Sequence, residues 1–486
     1  MAGGIWTATD KPVLPGLYLN FRSAGLSTIQ AGERGTVAMP VKAIWGATDK
    51  IYTITSEKEL TDAFTDNVSV GTAYKLVRLA LLGGAKKVLA KRITDGTEAK
   101  ASVTLKDTTT TPVNVLKLEG KYTGTWGNNF KVTVQTNLYD NTKKDIKLLV
   151  GSTLVYTFTV SGTSIADVVT TINNDTNNKW ITATKLADGN GVLANITGAT
   201  FSGGADGIAG ITNTNYTNAL TDFEKEQFNL FVLDGMTDSG LQASIKAWIE
   251  RLREEGVGVM AVVGGPATDD KSVNAVNKAI TRSSSFNYEG IINVGVGAYL
   301  DGVEYASSEI ACWVAGLIAG QTLSQSTTYA VAPFSDVNRR WTRGEMEQAI
   351  NGGVFLLYND GEKVKVLKGI NTLTSLAQGQ NNSWKKIRAI RVMDAINNDL
   401  VKTAEDNYIG KVNNTTAGRT ALIQACKEYM KTLAVGGVIE TDGWDVKLDP
   451  DYYGGEITPE PDEVYLMWEA RITDVMEKIF GTFIVK

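Results

Sequence analysis

The sequence predicts a multidomain chain of α/β and β type, in which open α/β segments flank an inserted all-β segment. Three observations carry that expectation. At 486 residues the chain exceeds what one ordinary hydrophobic core supports, so several domains are expected. Between about residues 212 and 360, short apolar runs alternate with helical patterns, as in a mostly parallel sheet covered on both faces. Between about residues 94 and 204 Thr and Asn become dense, helix formers thin out and short alternating runs appear, which suits a β-sandwich or barrel.

The elements follow in order. Residues 1–22 read as an arm rich in Gly, Pro and Thr, with Leu17, Leu19 and Phe21 alternating with Tyr18, Asn20 and Arg22 in strand fashion. Residues 23–93 read as a small α/β unit. It holds a strand at Thr36–Trp45, a helix at Ser56–Phe64 with Ser56 and Glu59 in capping-box spacing, a helix at Ala73–Leu82 stopped by Gly83 and Gly84, and a strand at Lys87–Ile93. Within the inserted β-segment, 94–204, strands are expected at Val113–Leu118, Phe130–Thr136 and Leu154–Val160, with one helical insert at Ile165–Ile172. The run Ser202–Gly207 closes it as a linker.

Residues 205–360 give strands at Phe228–Leu233, Val257–Val263 and Ile291–Val296, separated by helices at Ser239–Glu254 and Lys271–Thr281 and followed by one at Ser307–Ala319. In 361–474, Val392, Met393, Ile396, Leu400 and Ala404 recur one turn apart, and Leu422, Ile423, Cys426, Tyr429, Met430 and Leu433 do the same. Strands are expected after Gly436-Gly437, at Val438–Val446 and Val464–Ile472, and again at Val475–Val485 within the segment 475–486. Ile479, Phe480, Phe483, Ile484 and Val485 make that last segment apolar on both faces. An unpaired strand of this kind aggregates unless a partner edge receives it, which points to a subunit that donates strands.

The formal charge is −5 and the chain contains no histidine, so neither a general pull toward phosphates nor a Ser-His-Asp or Cys-His triad is available. Asp234, after the strand Phe228–Leu233, occupies the place where α/β enzymes put catalytic carboxylates, but a turn or capping role is favoured because no base or nucleophile motif accompanies it. Gly256–Ala261 and Gly264-Gly265-Pro266 lack the context and the Lys and Ser/Thr of phosphate loops, and read as tight turns. Asp188-Gly189-Asn190 and Asp206-Gly207 lack the downstream Glu of a calcium loop. Cys312 and Cys426 read as free buried thiols, and no cofactor or metal is expected. Ala311–Gly320 is half the length of a membrane span and reads as a buried helix, and Met1–Gly16 shows no secretory leader pattern.

The pieces resemble the tail sheath proteins of contractile bacteriophages and of related prophage tails and tailocins, particularly those of Gram-positive hosts. The resemblance rests on Pro15–Phe21, on Lys386–Asp394 opening a long helix, on Ile409–Asn414 between the two helices, on Gly436–Ile439, and on Met476–Phe483. It implies an inner α+β domain made from the N- and C-terminal segments, an outward β-sandwich or barrel, and a middle open α/β domain likened to subtilisin without its catalytic residues. Implied partners are further copies of the chain in a helical polymer, a tail tube protein, and baseplate and tail terminator proteins, with assembly in the host cytoplasm and residence in the virion tail. Neither nucleic acid nor membrane is implied. The terminal arms, through Leu17, Tyr18, Leu19, Phe21, Ile479, Phe480, Phe483 and Val485, would add strands to neighbours. The basic run Lys385, Lys386, Arg388 and Arg391 reads as a solvated helix face, the alternative being a docking face for an acidic partner, and with the implied inner domain holding it, that partner would be the tube. Two other readings stand beside the sheath: a surface-layer or other self-assembling structural protein, and an α/β enzyme built around Asp234.

Overall fold

The computed structural model describes residues 3–4, 17–18, 29, 34–454 and 458–485. The chain divides into two compact units, one formed by residues 33–390 and one by residues 391–486 together with 1–32. Leu19 and Phe21 lie outside the described residues; Gly3–Gly4 and Leu17–Tyr18 form a short parallel backbone pairing.

The larger unit begins with β1 (Thr36–Val41), β2 (Ile51–Ile54), α1 (Glu57–Phe64), α2 (Ala73–Gly83) and β3 (Lys87–Arg92). Ser56 caps α1 by accepting from Glu59 N, while the Glu59 carboxylate accepts from Thr55 N, one residue before the cap, so the cap forms without the reciprocal bond of a full capping box. The inserted segment supplies β4 (Ser102–Lys106), β5 (Asn114–Gly120), β6 (Phe130–Thr136), β7 (Lys143–Val150), β8 (Thr153–Ser161), α3 (Ile165–Asn174), β9 (Ile181–Lys185) and β10 (Ile196–Thr200). The chain then returns through α4 (Asn213–Phe223), β11 (Leu230–Val232), α5 (Ser239–Glu254), β12 (Met260–Gly264), α6 (Ala275–Phe286), β13 (Ile291–Val294) and α7 (Ser307–Gly320).

One six-stranded sheet in the order β13-β12-β11-β1-β3-β2 joins the first and third of these segments. All its pairings are parallel except that of β2 with β3. The expectation that residues 23–93 join 361–474 in a separate inner domain is therefore corrected. Asn229 makes the seam: its Oδ1 accepts from Gly35 N at 2.9 Å and Thr36 N at 3.0 Å, while its own N donates to Thr36 O. On one face Tyr216, Phe223, Leu241, Ile245 and Trp248 from α4 and α5 pack with Ala38, Phe231 and Ala261 in a common buried core. Helices α2 and α7 pack together and contact strands of the same sheet.

The β-sandwich has a four-stranded sheet, β8-β7-β6-β10, and a three-stranded sheet, β9-β5-β4. It is tied to the larger sheet by two buried side chains. Trp45, 3% exposed, belongs to the sandwich core and packs edge-on against Tyr122 and Phe130. Arg92, at the end of β3, donates to Gly46 O and Thr123 O at 2.7 Å and to Asp206 O at 3.0 Å, clasping both ends of the insertion. Burying a guanidinium is costly unless its donors are satisfied; these carbonyls take both Nη groups, while the buried Nε has no partner among the described residues.

The smaller unit holds the two long helices, α8 (Ile387–Asn407, of which it takes residues 391 onward) and α9 (Thr416–Val435), and an antiparallel pair, β14 (Asp445–Leu448) and β15 (Leu466–Glu469). Tyr429 donates to Asp399 at 2.6 Å across the helix pair. The strands are shorter than expected: Ile439 and Ile472 meet only in an isolated bridge. No strand forms over 475–485 within the chain.

Close backbone approach fixes the α2–α7 contact. A Cβ on Gly316 would lie 2.0 Å from Ala80 O, and one on Gly83 would lie 2.3 Å from Trp313 O. Backbone oxygens cannot move aside as a flexible side chain can. Gly316→Ala should therefore cost several kcal/mol, within the roughly 1–3 kcal/mol or more of overpacked cores, and collapse the yield of folded chain. Gly344→Ala, where a Cβ meets nothing within 4 Å, should be neutral or slightly stabilising. Thermal unfolding of the two variants checks the contrast.

Candidate functional site

In open α/β sheets, ligands bind beyond the carboxyl ends of the strands, where the strand order reverses. Here that point lies between β1 and β11, followed in sequence by Lys42 and Asp234. Asp234 accepts from Tyr216 Oη at 2.6 Å and Thr72 Oγ1 at 2.7 Å, with Lys42 Nζ at 3.5 Å. Burial pushes its carboxyl above the usual carboxylate range, while Lys42, Tyr216 and Thr72 pull the other way. The crevice is occupied by the chain's own side chains. Cys312, also buried, directs its Sγ to Leu233 O at 3.5 Å, and burial pushes this thiol up, away from the nucleophilic thiolate.

A second buried cluster caps α7. Ser307 N donates to Asp270 Oδ2 and Ser307 Oγ to Asp270 Oδ1, both at 2.7 Å, while Gly265 N donates to Ser307 Oγ at 2.8 Å. Asp270 thus supplies the negative charge that a helix N-terminus attracts. A serine beside a carboxylate with no histidine has no base to activate it. Asp234 is a buried side-chain hub rather than the expected turn or cap, and Gly264 closes β12 rather than forming a tight turn.

Asp107 Oδ2 accepts from Asn190 N at 3.1 Å and Oδ1 from Val113 N at 2.8 Å, and Asp188 pairs with Lys185. Backbone donors to Asp107 hold its carboxyl below the usual range. Among the described residues no cluster of Cys, Asp or Glu is arranged to hold a metal ion, and no helix is long and apolar enough to cross a membrane. Cys312 and Cys426 are both free and buried.

The surfaces that remain are at the chain's later end. Ile479 is 85% exposed, Phe480 and Phe483 are 91% exposed and Val485 is 83% exposed. The four expected basic residues divide. Lys385 and Lys386 are half-buried, but Arg388 and Arg391 are buried within the chain, so the expected solvated basic face is corrected. Helical spacing placed all four near one another and carried no information on which neighbours cover them. The sequence reading also missed a groove of about 760 Å³ between α8, α9 and β15, lined by Met393, Ile396, Leu400, Leu422, Cys426 and Trp468. Its signal was present in the two apolar helix stripes.

Profiles of tail sheath regions match the chain in order: the tail sheath protein Gp18 domain III N-terminal region over residues 34–93, the phage tail sheath protein beta-sandwich domain over 94–206, the phage tail sheath protein central domain over 209–372, and the phage tail sheath C-terminal domain over 379–486. The uncharacterized protein YqbK of Bacillus subtilis (strain 168) is 32% identical over 454 residues, covering 89% of this chain and 88% of YqbK. The phage-like element PBSX protein XkdK of the same organism is 30% identical over 423 residues, covering 83% and 82% of the two chains. The solved sheath tail protein of Desulfitobacterium hafniense superposes with a TM-score of 0.73 at 30% identity, over 96% of this chain and 98% of its own. The contracted helical sheath of the anti-feeding prophage shares the fold, with a TM-score of 0.55 at 12% identity over 98% and 100% of the two chains.

The chain belongs to the phage tail sheath protein family. It is a structural subunit of a contractile tail sheath and not an enzyme.

One consequence of the buried cap is measurable. Burial pushes Asp270 up to about 6, against the pull of Ser307 and Arg282. A carboxyl whose folded pKa lies above its unfolded value favours the fold most below the unfolded pKa, and that contribution is lost as pH rises through the folded one. Between about pH 4 and pH 6.5 the group should remove on the order of 3 kcal/mol of stability. Asp270→Asn should flatten this fall, so the unfolding free energy of wild type minus variant should decrease across that range. A constant difference would contradict it.

Proposed function

We propose that copies of this chain polymerise helically around a tail tube protein, between baseplate and tail terminator proteins, and that contraction of the polymer drives the tube through a bacterial envelope. The polymer would assemble in the host cytoplasm. The observation that carries the reading is the run Ile479, Phe480, Phe483 and Val485, almost fully exposed in a single chain of the sheath family. In an assembled sheath a neighbour's sheet edge covers it by strand addition. Leu17, Tyr18, Leu19 and Phe21 serve in the same way at the other arm.

Magnitudes limit what one arm does. Main-chain bonds worth about 0.5–1.5 kcal/mol net each compete with about 1–2 kcal/mol per residue for ordering the segment. Burial of each large apolar side chain, at roughly 1.5–3 kcal/mol, supplies the surplus. Each link is modest, and a lattice multiplies it.

In the assembled sheath, the segment 361–474 supplies the tube-facing layer and the β-sandwich the outer one. The half of the large sheet made by β11, β12 and β13, with the buried helix α7, supports a subtilisin-like description of the middle region in which side chains fill the former site. Lys385 and Lys386 remain the tube-facing positions, since Arg388 and Arg391 are covered.

Deleting residues 475–486 should leave a folded chain that no longer polymerises, seen as hollow cylinders from the intact chain and none from the deletion by negative-stain microscopy. Polymerisation of the deletion at the intact chain's level would sink the strand-donation reading. Charge reversal of Lys385 and Lys386 should abolish co-assembly with tube while tube-free assembly persists; equal loss of both would mark these lysines as structural.

A further inference from the structure

Lys144 faces the interior of the β-sandwich. On β7 it shares a face with Ile146 and Leu148, which belong to the sandwich core, and its cross-strand neighbours are Thr136 on β6 and Val160 on β8. It is 8% exposed. The next residue, Asp145, faces the other way, where its carboxylate accepts from Asn137 Nδ2 at 2.8 Å and from Thr159 Oγ1 at 2.9 Å. Among the described residues no carboxylate pairs with Lys144. Its Nζ donates instead to Asn195 Oδ1 at 2.8 Å and to Thr136 Oγ1 at 3.1 Å, both neutral acceptors.

A buried ammonium offered only neutral oxygens is costly, and burial moves this lysine toward its free amine, which is the nucleophilic form. The acceptor beside it is an amide carbonyl. Asn195 sits exposed at the rim of the sandwich, immediately before β10. That strand is an edge of the four-stranded sheet, and its pairing with β6 carries a register shift between Ile196 and Ala199.

We propose that Lys144 and Asn195 join in an intramolecular isopeptide bond. The lysine reacts as its free amine: Nζ attacks Asn195 Cγ, the Nζ–Cγ bond forms and the Cγ–Nδ2 bond breaks. One proton passes from Nζ to the departing Nδ2, with the Thr136 hydroxyl, already at Nζ, as the relay, and ammonia leaves at the exposed rim. Nothing is oxidised or reduced, and no co-reactant is consumed. In the hydrogen-bonded state the nitrogen lies against the carbonyl oxygen, and reaction requires it to move onto the adjacent carbon, which the unbranched lysine stem permits. The product is a neutral amide, so the buried charge is removed with the reaction. The bond spans β6 and ties β7 to the entry of the irregular edge strand β10, restricting the unfolded chain as other crosslinks do. It forms within one chain and stands apart from the sheath reading.

Intact-mass spectrometry of the full chain, fresh and after prolonged incubation at mildly alkaline pH, tests the bond. The wild type should be lighter than its sequence by one ammonia, and a proteolytic digest should contain a branched peptide joining Lys144 to Asn195. Lys144→Arg should restore the full mass and lower the unfolding temperature. A wild type that keeps its full sequence mass through the incubation overturns the bond. So does a deficit that persists in Lys144→Arg, because an asparagine that loses ammonia to its own backbone forms a succinimide without the lysine. Should Lys144→Arg fail to fold, the branched peptide of the wild type decides: its presence supports the bond and its absence overturns it.

Discussion

The parallel pairing of β1 with β11 is the constraint on which the larger unit depends. It joins segments that the β-sandwich separates in sequence, and Asn229 fixes its register through paired hydrogen bonds to Gly35 and Thr36. Because the pairing brings Lys42 beside Asp234, it also places a buried charge at the point where open α/β enzymes hold a ligand. Tyr216 and Thr72 complete that cluster, and Asp270 with Ser307 closes the neighbouring helix end. The interior is thereby committed to stability. Function passes to the surfaces.

Those surfaces have the character of an assembling subunit. A chain folded alone would gain by burying Ile479, Phe480 and Phe483, yet they stay exposed, and no strand includes them. The same unit carries an apolar groove. In the larger unit Arg92 and Trp45 fasten the sandwich, and glycines let α2 and α7 touch through their backbones. Subunits that keep internal shape can store and release energy through the contacts between them, as interfaces and packed cores tend to be bistable.

Much of the local structure was legible in the sequence because it follows from local physics. Ser56 with Glu59, the stop at Gly83-Gly84, and the period of Leu422, Cys426, Tyr429 and Leu433 each specify their own helix. What was not legible depends on distant pairing. Nothing local to Thr36–Val41 says that its neighbour is Leu230–Val232, so the first α/β unit was placed in the wrong domain. Likewise Arg388 and Arg391 read as solvated because charged residues usually are, whereas the fold covers both. The strand expected at Val475–Val485 illustrates a different limit. Its alternation reads as a strand, and none forms over 475–485 in the single chain.

A helical reconstruction of the polymer formed by the full chain is the most direct test of strand donation. Residues 475–485 should appear as a strand hydrogen-bonded to the sheet edge of a neighbouring copy, with Phe480 and Phe483 buried against it. Finding the segment folded onto its own chain, or still solvent-exposed within the polymer, would contradict it.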